Sequence, residues 1–569
     1  MTRFRKPAAF FGLAAGLVLL ATGCGGGGTS SSSTTPSSSG GNHKGGTMIL
    51  LANSNAGDAD PAINYTLQLW QLFIFTNDGL VAFKRVGGAA GGQVVPDLAT
   101  SVPKPTDGGT TYTFQVRKGI KYSDGTTMKP SDFKFTIERM FDVHGPTTGS
   151  FYSVIKGADA CLKAPSKKCD LSAGIVPNDQ KYTLTFHLTK PDPEFLDKLG
   201  LPFAFVIPPS TPMKDLGSKT AAGTGPYMFK EYIPNKDLKL VRNPYFHVWS
   251  TDAQPPGNPD QIVEKFGLTV EAEITEVENG QADWVFDQPP ADRLNEMSTK
   301  YASQVHVNPL TAVWYVAMNV REAPFNNLDA RKAVNYAMDR NALVKIQGGP
   351  QLAVPTCQVL PPNFPGYKPY CPYTVNPDSS GKWKGPDMAK AKQLIAASGT
   401  KGQKVTFITT TDEVGKSIGN YMVSLLNSLG YKASFKALGG GPQYEYIQNS
   451  SNHVQISYSS WYQDYPAASD FLNVLLGCGS FVPNSNASPN ISGFCNQKIQ
   501  GDMNRALKLG ETDQTAANAL WAQVDKEVTN QAPWASMFNP KLIDFVSKRV
   551  GGYQFSPQWY FLLDQAWVK

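Results

Sequence analysis

The stretch TYTFQVRKGIKYSDG, residues 111–125, says most about the fold. From Tyr112 to Val116 it alternates apolar and polar residues, which places the apolar side chains on one face of a β-strand. Ser123-Asp124-Gly125 is typical of a turn, and Pro130 suits the first turn of a helix. The stretch therefore predicts a strand, a turn and a helix in close succession.

Strand and helix patterns alternate further along the chain as well. Residues 405–408 have the pattern of a strand, a helical apolar stripe follows and ends at Gly430, and residues 433–437 have the pattern of a second strand. Two strands joined by a helix are typical of a parallel sheet. We therefore expect an α/β protein.

Composition sets the size class and excludes some partners. The chain has 569 residues, of which 41% are hydrophobic and 17% charged, so it can build several cores and more than one lobe. The formal net charge is +6, but the basic residues form no dense block, so no nucleic-acid partner is expected. After the first 21 residues no apolar run is long enough to cross a membrane.

The N-terminus predicts export and attachment to a membrane. Basic residues at the start precede an apolar run over residues 8–21, as in a signal peptide. Leu20-Ala21-Thr22-Gly23-Cys24 resembles a bacterial lipobox, in which the Cys24 thiol would be diacylated. A stretch rich in Gly, Ser and Thr follows up to residue 46 and suits a flexible tether. The alternative is an ordinary secretory signal with an incidental cysteine.

Six further cysteines lie in three short-range couples, which favours three local disulfides in an exported chain. The couples are Cys161 with Cys169, Cys357 with Cys371, and Cys478 with Cys495. Six cysteines allow 15 connectivities, so the pairing rests on proximity alone. A metal site is the alternative, but there is no CxxC and the six histidines lack ligand spacing. We expect neither a metal nor a cofactor.

One pattern favours an enzyme. Ser153-Val154-Ile155-Lys156 matches the SxxK motif of penicillin-recognising acyl enzymes, and Lys219-Thr220-Ala221 loosely matches their KTG triplet. The third residue of that triplet is not glycine, however, and no SxN triplet lies between the two motifs. The chain also lacks a GxSxG elbow and a Walker A loop. We therefore expect a binding protein and not an enzyme.

Several longer blocks resemble one family. They are Pro96-Asp97-Leu98-Ala99, residues 111–125, Gly223-Thr224-Gly225-Pro226-Tyr227, Arg242-Asn243-Pro244-Tyr245, and residues 323–340. In this order they are similar to conserved blocks of the extracellular solute-binding proteins of family 5, the oligopeptide and dipeptide receptors of ABC importers. The resemblance extends over about residues 47–569.

The resemblance implies a two-lobed fold of the periplasmic-binding-protein type II class, with an extra domain in the first lobe. Ligand would lie in the cleft between the lobes, and closure would present a surface to the ABC permease subunits. The protein would act as a monomer at the outer face of the cell membrane. The expected segments are a lipoprotein signal peptide at 1–23, a tether at 24–46, lobe I at 47–85, 215–318 and 530–569, the extra domain at 86–214, and lobe II at 319–529.

The resemblance also suggests site residues. The segment Ser460-Trp461-Tyr462-Gln463-Asp464-Tyr465-Pro466 is similar to a WxxDY stretch in which the aspartate, here Asp464, pairs with the α-ammonium of a peptide. Ser460, Trp461 and Tyr462 would lie beside the ligand, and Trp70 and Phe73 would form the opposite wall.

Other interpretations of these residues remain open. Asp464 could be a solvated loop acid or part of a structural ion pair, and Trp461 and Tyr462 could be core aromatics. No counter-charge for a ligand carboxylate is evident. Other members of the class bind nickel chelates, haem, sugars or opines, so the ligand is expected to be a peptide or another small solute.

Overall fold

The structure is a computed structural model that describes residues 43–164, 167–486 and 488–569. The predicted signal peptide, Cys24 and all of the tether except its last four residues lie outside the described part. Among the described residues, no helix is long and apolar enough to cross a membrane.

Strands and helices follow one another throughout the described chain. The strands are β1 Thr47–Ala52, β2 Val81–Phe83, β3 Val94–Pro96, β4 Thr111–Gln115, β5 Ile175–Asn178, β6 Thr183–His187, β7 Tyr227–Ile233, β8 Asp237–Arg242, β9 Gln261–Phe266, β10 Trp284–Val285, β11 Val305–Pro309, β12 Ala312–Met318, β13 Ala353–Pro355, β14 Lys404–Thr410, β15 Lys432–Leu438, β16 Ile456–Tyr462, β17 Trp534–Phe545, β18 Val550–Gly551, β19 Phe555–Ser556, β20 Tyr560–Phe561 and β21 Trp567–Val568. The helices are α1 Leu67–Thr76, α2 Pro130–Asp142, α3 Ala158–Lys163, α4 Phe195–Leu199, α5 Val270–Glu278, α6 Leu294–Lys300, α7 Leu328–Ala337, α8 Arg340–Ile346, α9 Met388–Ser398, α10 Glu413–Ser428, α11 Gly440–Gln448, α12 Ala468–Leu476, α13 Gln497–Gly510 and α14 Gln514–Gln531.

The strand, turn and helix predicted from residues 111–130 are confirmed. In β4 the side chains of Tyr112 and Phe114 are buried while Thr113 is exposed. Helix α2 begins at Pro130, and the Asp132 side chain accepts a hydrogen bond from the Lys129 N–H at 2.9 Å, which satisfies a free donor at the helix start. The periodicity of the sequence was sufficient here because each element buries one face.

Two sheets of three or more strands lie in the N-terminal half of the described chain, besides the two-stranded sheet of β2 and β3. One has five strands in the order β10-β1-β9-β8-β7, with β1 parallel to both neighbours and β7, β8 and β9 antiparallel. The other is a small antiparallel sheet, β4-β6-β5, within the segment assigned to the extra domain. A single apolar cluster joins the two sheets through helix α1.

A third sheet contains the C-terminal half. Its order is β11-β17-β12-β16-β14-β15, and β13 also pairs with β17. Strands β14 and β15 are parallel and flank α10, which confirms the predicted strand-helix-strand unit. Both faces of the sheet are covered, because Val313 and Tyr315 of β12 belong to one apolar cluster and Val316 and Met318 to another.

The third sheet takes strands from both predicted lobes. Strands β11, β12 and β17 lie in segments assigned to lobe I. Of these, β12 pairs with β16 and β17 pairs with β13, and both partners lie in the segment assigned to lobe II. The bounds of the lobes stay a prediction.

Three disulfides join the cysteines that are close in sequence. They are Cys161–Cys169, Cys357–Cys371 and Cys478–Cys495. Each closes a short loop, and such a link stabilises a fold mainly by restricting the unfolded chain.

Candidate functional site

A large cavity lies between the five-stranded and seven-stranded sheets. Its volume is about 1200 Å³, and we call it the central cavity. Its wall comes from the start of α1, the loop after β10, the start of α10, and the ends of β16 and β17. Five of the six predicted ligand-binding residues line it, namely Trp70, Ser460, Trp461, Tyr462 and Asp464.

Asp464 is held at the wall by neutral groups. Its side chain accepts a hydrogen bond from the Tyr65 hydroxyl at 2.6 Å, and its backbone carbonyl accepts one from Gln558 Nε2 at 2.7 Å. Only 6% of the residue is exposed. Among the residues that the structure describes, no cation forms an ion pair with Asp464, so a carboxylate faces the cavity without a matching positive charge.

A second buried acid adjoins Asp464. The Asp464 N–H donates to Asp470 Oδ2 at 2.9 Å. Burial raises the pKa of Asp464 to about 7, although hydrogen bonds from Tyr65 and Asp470 lower it. Burial and the charge of Asp464 raise the pKa of Asp470 well above its usual range.

Aromatic rings surround the carboxylate. Tyr65 stacks on Trp70 with 5.5 Å between ring centroids, and Phe203 packs edge-on against both rings at 5.3 Å. Trp70 Nε1 donates to the Asn64 carbonyl at 3.0 Å, which fixes its ring. Tyr65 was not predicted from the sequence, because it lies 399 residues from Asp464 and no local pattern marks it.

The β16 residues lie at the end of their strand. Ser460 pairs with Trp314 of β12, and the ring of Tyr462 packs edge-on against Trp314 at 5.1 Å. Tyr462 is 45% exposed although it lies in the interior of the molecule, because it projects into the cavity. Trp461 lines the cavity and also packs on the apolar cluster of α12.

Phe73 does not lie at the cavity. Its side chain is buried in the core and packs edge-on against Phe229 of β7 at 6.1 Å. Residues 68–76 of α1 are all buried. The spacing of apolar residues along this helix therefore could not indicate which side faces the cavity and which side faces the core.

Lys541 of β17 is a wall residue that sequence reasoning missed. Its ammonium donates to the Pro350 carbonyl at 2.8 Å. It is the only Lys or Arg lining the cavity in the described part of the chain. It is therefore a positive group at the cavity wall that the sequence alone did not reveal.

The residues of the SxxK motif do not form part of the candidate site. Ser153 and Lys156 do not line the cavity, and no hydrogen bond joins their side chains among the described residues. Within the same residues, no group of three or more His, Cys, Asp or Glu side chains is placed to hold a metal ion.

Comparison with known proteins identifies the family. The sequence model described as "Bacterial extracellular solute-binding proteins, family 5 Middle" matches residues 93–482. The chain is 24% identical to the periplasmic oligopeptide-binding protein OppA of Escherichia coli over 468 residues, which cover 78% of this chain and 79% of that protein. It is 26% identical to heme-binding protein A of Haemophilus influenzae over 509 residues, or 84% of each chain.

A solved structure shares the fold. The clavulanic acid biosynthesis oligopeptide binding protein 2 superposes with a TM-score of 0.82 at 23% identity, over 93% of this chain and 96% of that one. The two-lobed periplasmic-binding-protein fold that the resemblance implied is thus confirmed. Because the family model matches well over half of the chain, this protein belongs to the extracellular solute-binding proteins of family 5.

Proposed function

We propose that this protein captures short peptides in the central cavity and delivers them to the permease of an ABC importer. The observation that carries the proposal is Asp464, a nearly buried carboxylate at the cavity wall that has no ion pair among the described residues. A peptide's α-ammonium would supply that partner. A charge-assisted hydrogen bond in such a dry site contributes about 1.5–3 kcal/mol.

The volume of the cavity and the charged residues on its wall agree with a peptide ligand. At about 1200 Å³ it exceeds the roughly 300–1000 Å³ of most small-molecule sites. Its wall contains Asp464 for an ammonium and Lys541 for a carboxylate, the two charges of a free peptide. One relative and one solved neighbour are named for oligopeptide binding, which favours the same ligand class here.

The binding test compares a free tripeptide with its N-acetylated form by calorimetry. We expect the free peptide to bind at least about tenfold more tightly, and the Asp464→Asn variant to remove most of that difference. Asp525→Asn is the matched control, because Asp525 is equally buried but does not line the cavity. Equal affinity of both peptides for the unmodified protein would contradict ammonium pairing.

A second candidate ligand is haem, since one relative is named for it. Absorbance of the purified protein after incubation with haem distinguishes the two, and mass spectrometry of copurifying molecules identifies the ligand directly. A saturable haem complex that excludes peptides would replace the peptide proposal.

The proposed location is the outer face of the membrane, with the chain anchored through Cys24 and acting as a monomer. Membrane fractionation tests the anchor: the Cys24→Ala variant should move to the soluble exported fraction. If that variant stays with the membrane, another attachment is responsible. Light scattering of the purified chain tests the monomer.

A further inference from the structure

The wall of the central cavity has an excess of negative charge. Four carboxylates line it, from Asp287, Asp292, Glu413 and Asp464, against the single ammonium of Lys541 among the described residues. The chain as a whole carries a formal charge of +6, so the cavity has the opposite sign to the molecule. A cleft lined by one sign of charge concentrates ligands of the other sign.

The protein does not neutralise these carboxylates itself. Asp287 accepts a hydrogen bond from the Asn53 N–H at 2.7 Å and Asp464 accepts one from the Tyr65 hydroxyl, and both donors are uncharged. Within the described ranges none of the four has an ion pair, and the Lys541 ammonium is bonded to a carbonyl instead. Their charge is therefore available to a ligand.

Three of the acids come from opposite sides of the cavity, and we call Asp287, Asp292 and Glu413 the acidic trio. The first two lie in the loop after β10 of the five-stranded sheet, while Glu413 begins α10 directly after β14 of the seven-stranded sheet. The two sides approach closely beside Asp292, since a methyl group added to Gly348 would lie 3.2 Å from the Ala291 methyl. Carboxylates therefore reach the cavity wall from both sheets.

A buried acid lies near Asp287, behind the wall of the cavity. Glu273 of α5 is 0% exposed, does not line the cavity, and has no hydrogen-bond partner for either carboxylate oxygen among the described residues. Burial and the nearby charges of Asp287 and Glu264 raise the pKa of Glu273 to about 8. The charge of Asp287 is therefore felt by its neighbours inside the protein.

The remaining wall favours an organic cation. Nine aromatic side chains line the cavity: Tyr65, Trp70, Trp284, Phe286, Trp314, Tyr444, Trp461, Tyr462 and Tyr560. Aromatic faces attract ammonium and guanidinium groups, whereas a divalent metal ion needs a compact set of ligands. No such set occurs in the described ranges.

We propose that the preferred ligand is a peptide with a basic side chain, Lys or Arg, whose cation lies among the acidic trio while Asp464 pairs with the α-ammonium. The proposal rests on the proposed peptide-binding function and adds a ligand class to it.

Calorimetry on the full chain in detergent tests this with three tripeptides: Ala-Lys-Ala, Ala-norleucine-Ala and Ala-Glu-Ala. We expect the lysine peptide to bind about tenfold more tightly than the norleucine peptide, and the glutamate peptide to bind most weakly. The triple variant Asp287→Asn, Asp292→Asn, Glu413→Gln should bind the lysine and norleucine peptides with equal affinity.

The control triple variant is Asp107→Asn, Glu276→Gln, Glu511→Gln, which removes the same charge outside the cavity and should keep the preference. If the cavity variant does not fold, Glu413→Gln alone should reduce the preference severalfold, since Glu413 is exposed. Equal binding of the lysine and norleucine peptides overturns this inference and leaves peptide capture standing. A preference that survives in the cavity variant overturns it too, and a failure of all three peptides to bind overturns both proposals.

Discussion

The pH dependence of peptide affinity is the sharpest test of the site, because it reports the ionisation of one carboxyl group. Asp464 can pair with an ammonium only when it is ionised, and its pKa is raised to about 7. With that pKa, the ionised fraction grows from about 3% at pH 5.5 to about 75% at pH 7.5. The α-ammonium of the peptide has a pKa of about 7.7, so roughly 40% of it has lost its charge by pH 7.5.

The two titrations together predict an affinity that rises roughly fifteenfold from pH 5.5 to pH 7.5 and then levels off or falls. Calorimetry in one buffer series measures it, and the Asp464→Asn variant should give a flat profile. The stability of the unliganded protein should change with pH in the opposite direction. Because folding raises the pKa of Asp464, its contribution to stability is greatest near pH 4 and is lost as the pH rises towards 7.

An affinity that does not change between pH 5.5 and 7.5 would refute this reasoning. So would a rise of the same size in Asp464→Asn, because another group would then be responsible. An N-acetylated peptide is the matched ligand control and should show no rise.

Other predictions concern the wall of the central cavity and one of the disulfides. Lys541→Met should weaken binding of a free peptide about tenfold but leave the affinity of its C-terminal amide unchanged; equal losses would mean that Lys541 acts through packing. Tyr65→Phe removes the hydrogen bond that lowers the pKa of Asp464, so the pH midpoint of binding should move upward, and an unchanged midpoint would contradict the contact. Cys478→Ser opens a disulfide with a sequence separation of 17 and should lower the free energy of unfolding by about 3 kcal/mol, as measured by denaturant titration. If loss of the closed loop is the cause, Cys495→Ser should lower the free energy of unfolding by the same amount.

The sequence predicted features that depend on neighbouring residues. The strand and helix over residues 111–142, the strand-helix-strand unit around α10 and the three disulfides all follow from short-range periodicity or spacing. The resemblance to the family pointed to Asp464, which does lie at the cavity.

Features built from distant parts of the chain were not evident. Tyr65 and Lys541 reach the cavity only because the fold brings the start of α1 and the strand β17 to it. The side of α1 that carries Phe73 was not evident either, because residues 68–76 of this helix are all buried, the polar ones included. The place of β17 in the seven-stranded sheet likewise depends on pairing with strands more than 200 residues away.

The position of β17 has a consequence for biosynthesis. This strand lies between β11 and β12 in the sheet, yet it follows β12 by more than 200 residues along the chain. Both of its neighbours are therefore synthesised long before it, and the sheet cannot close until β17 has left the ribosome.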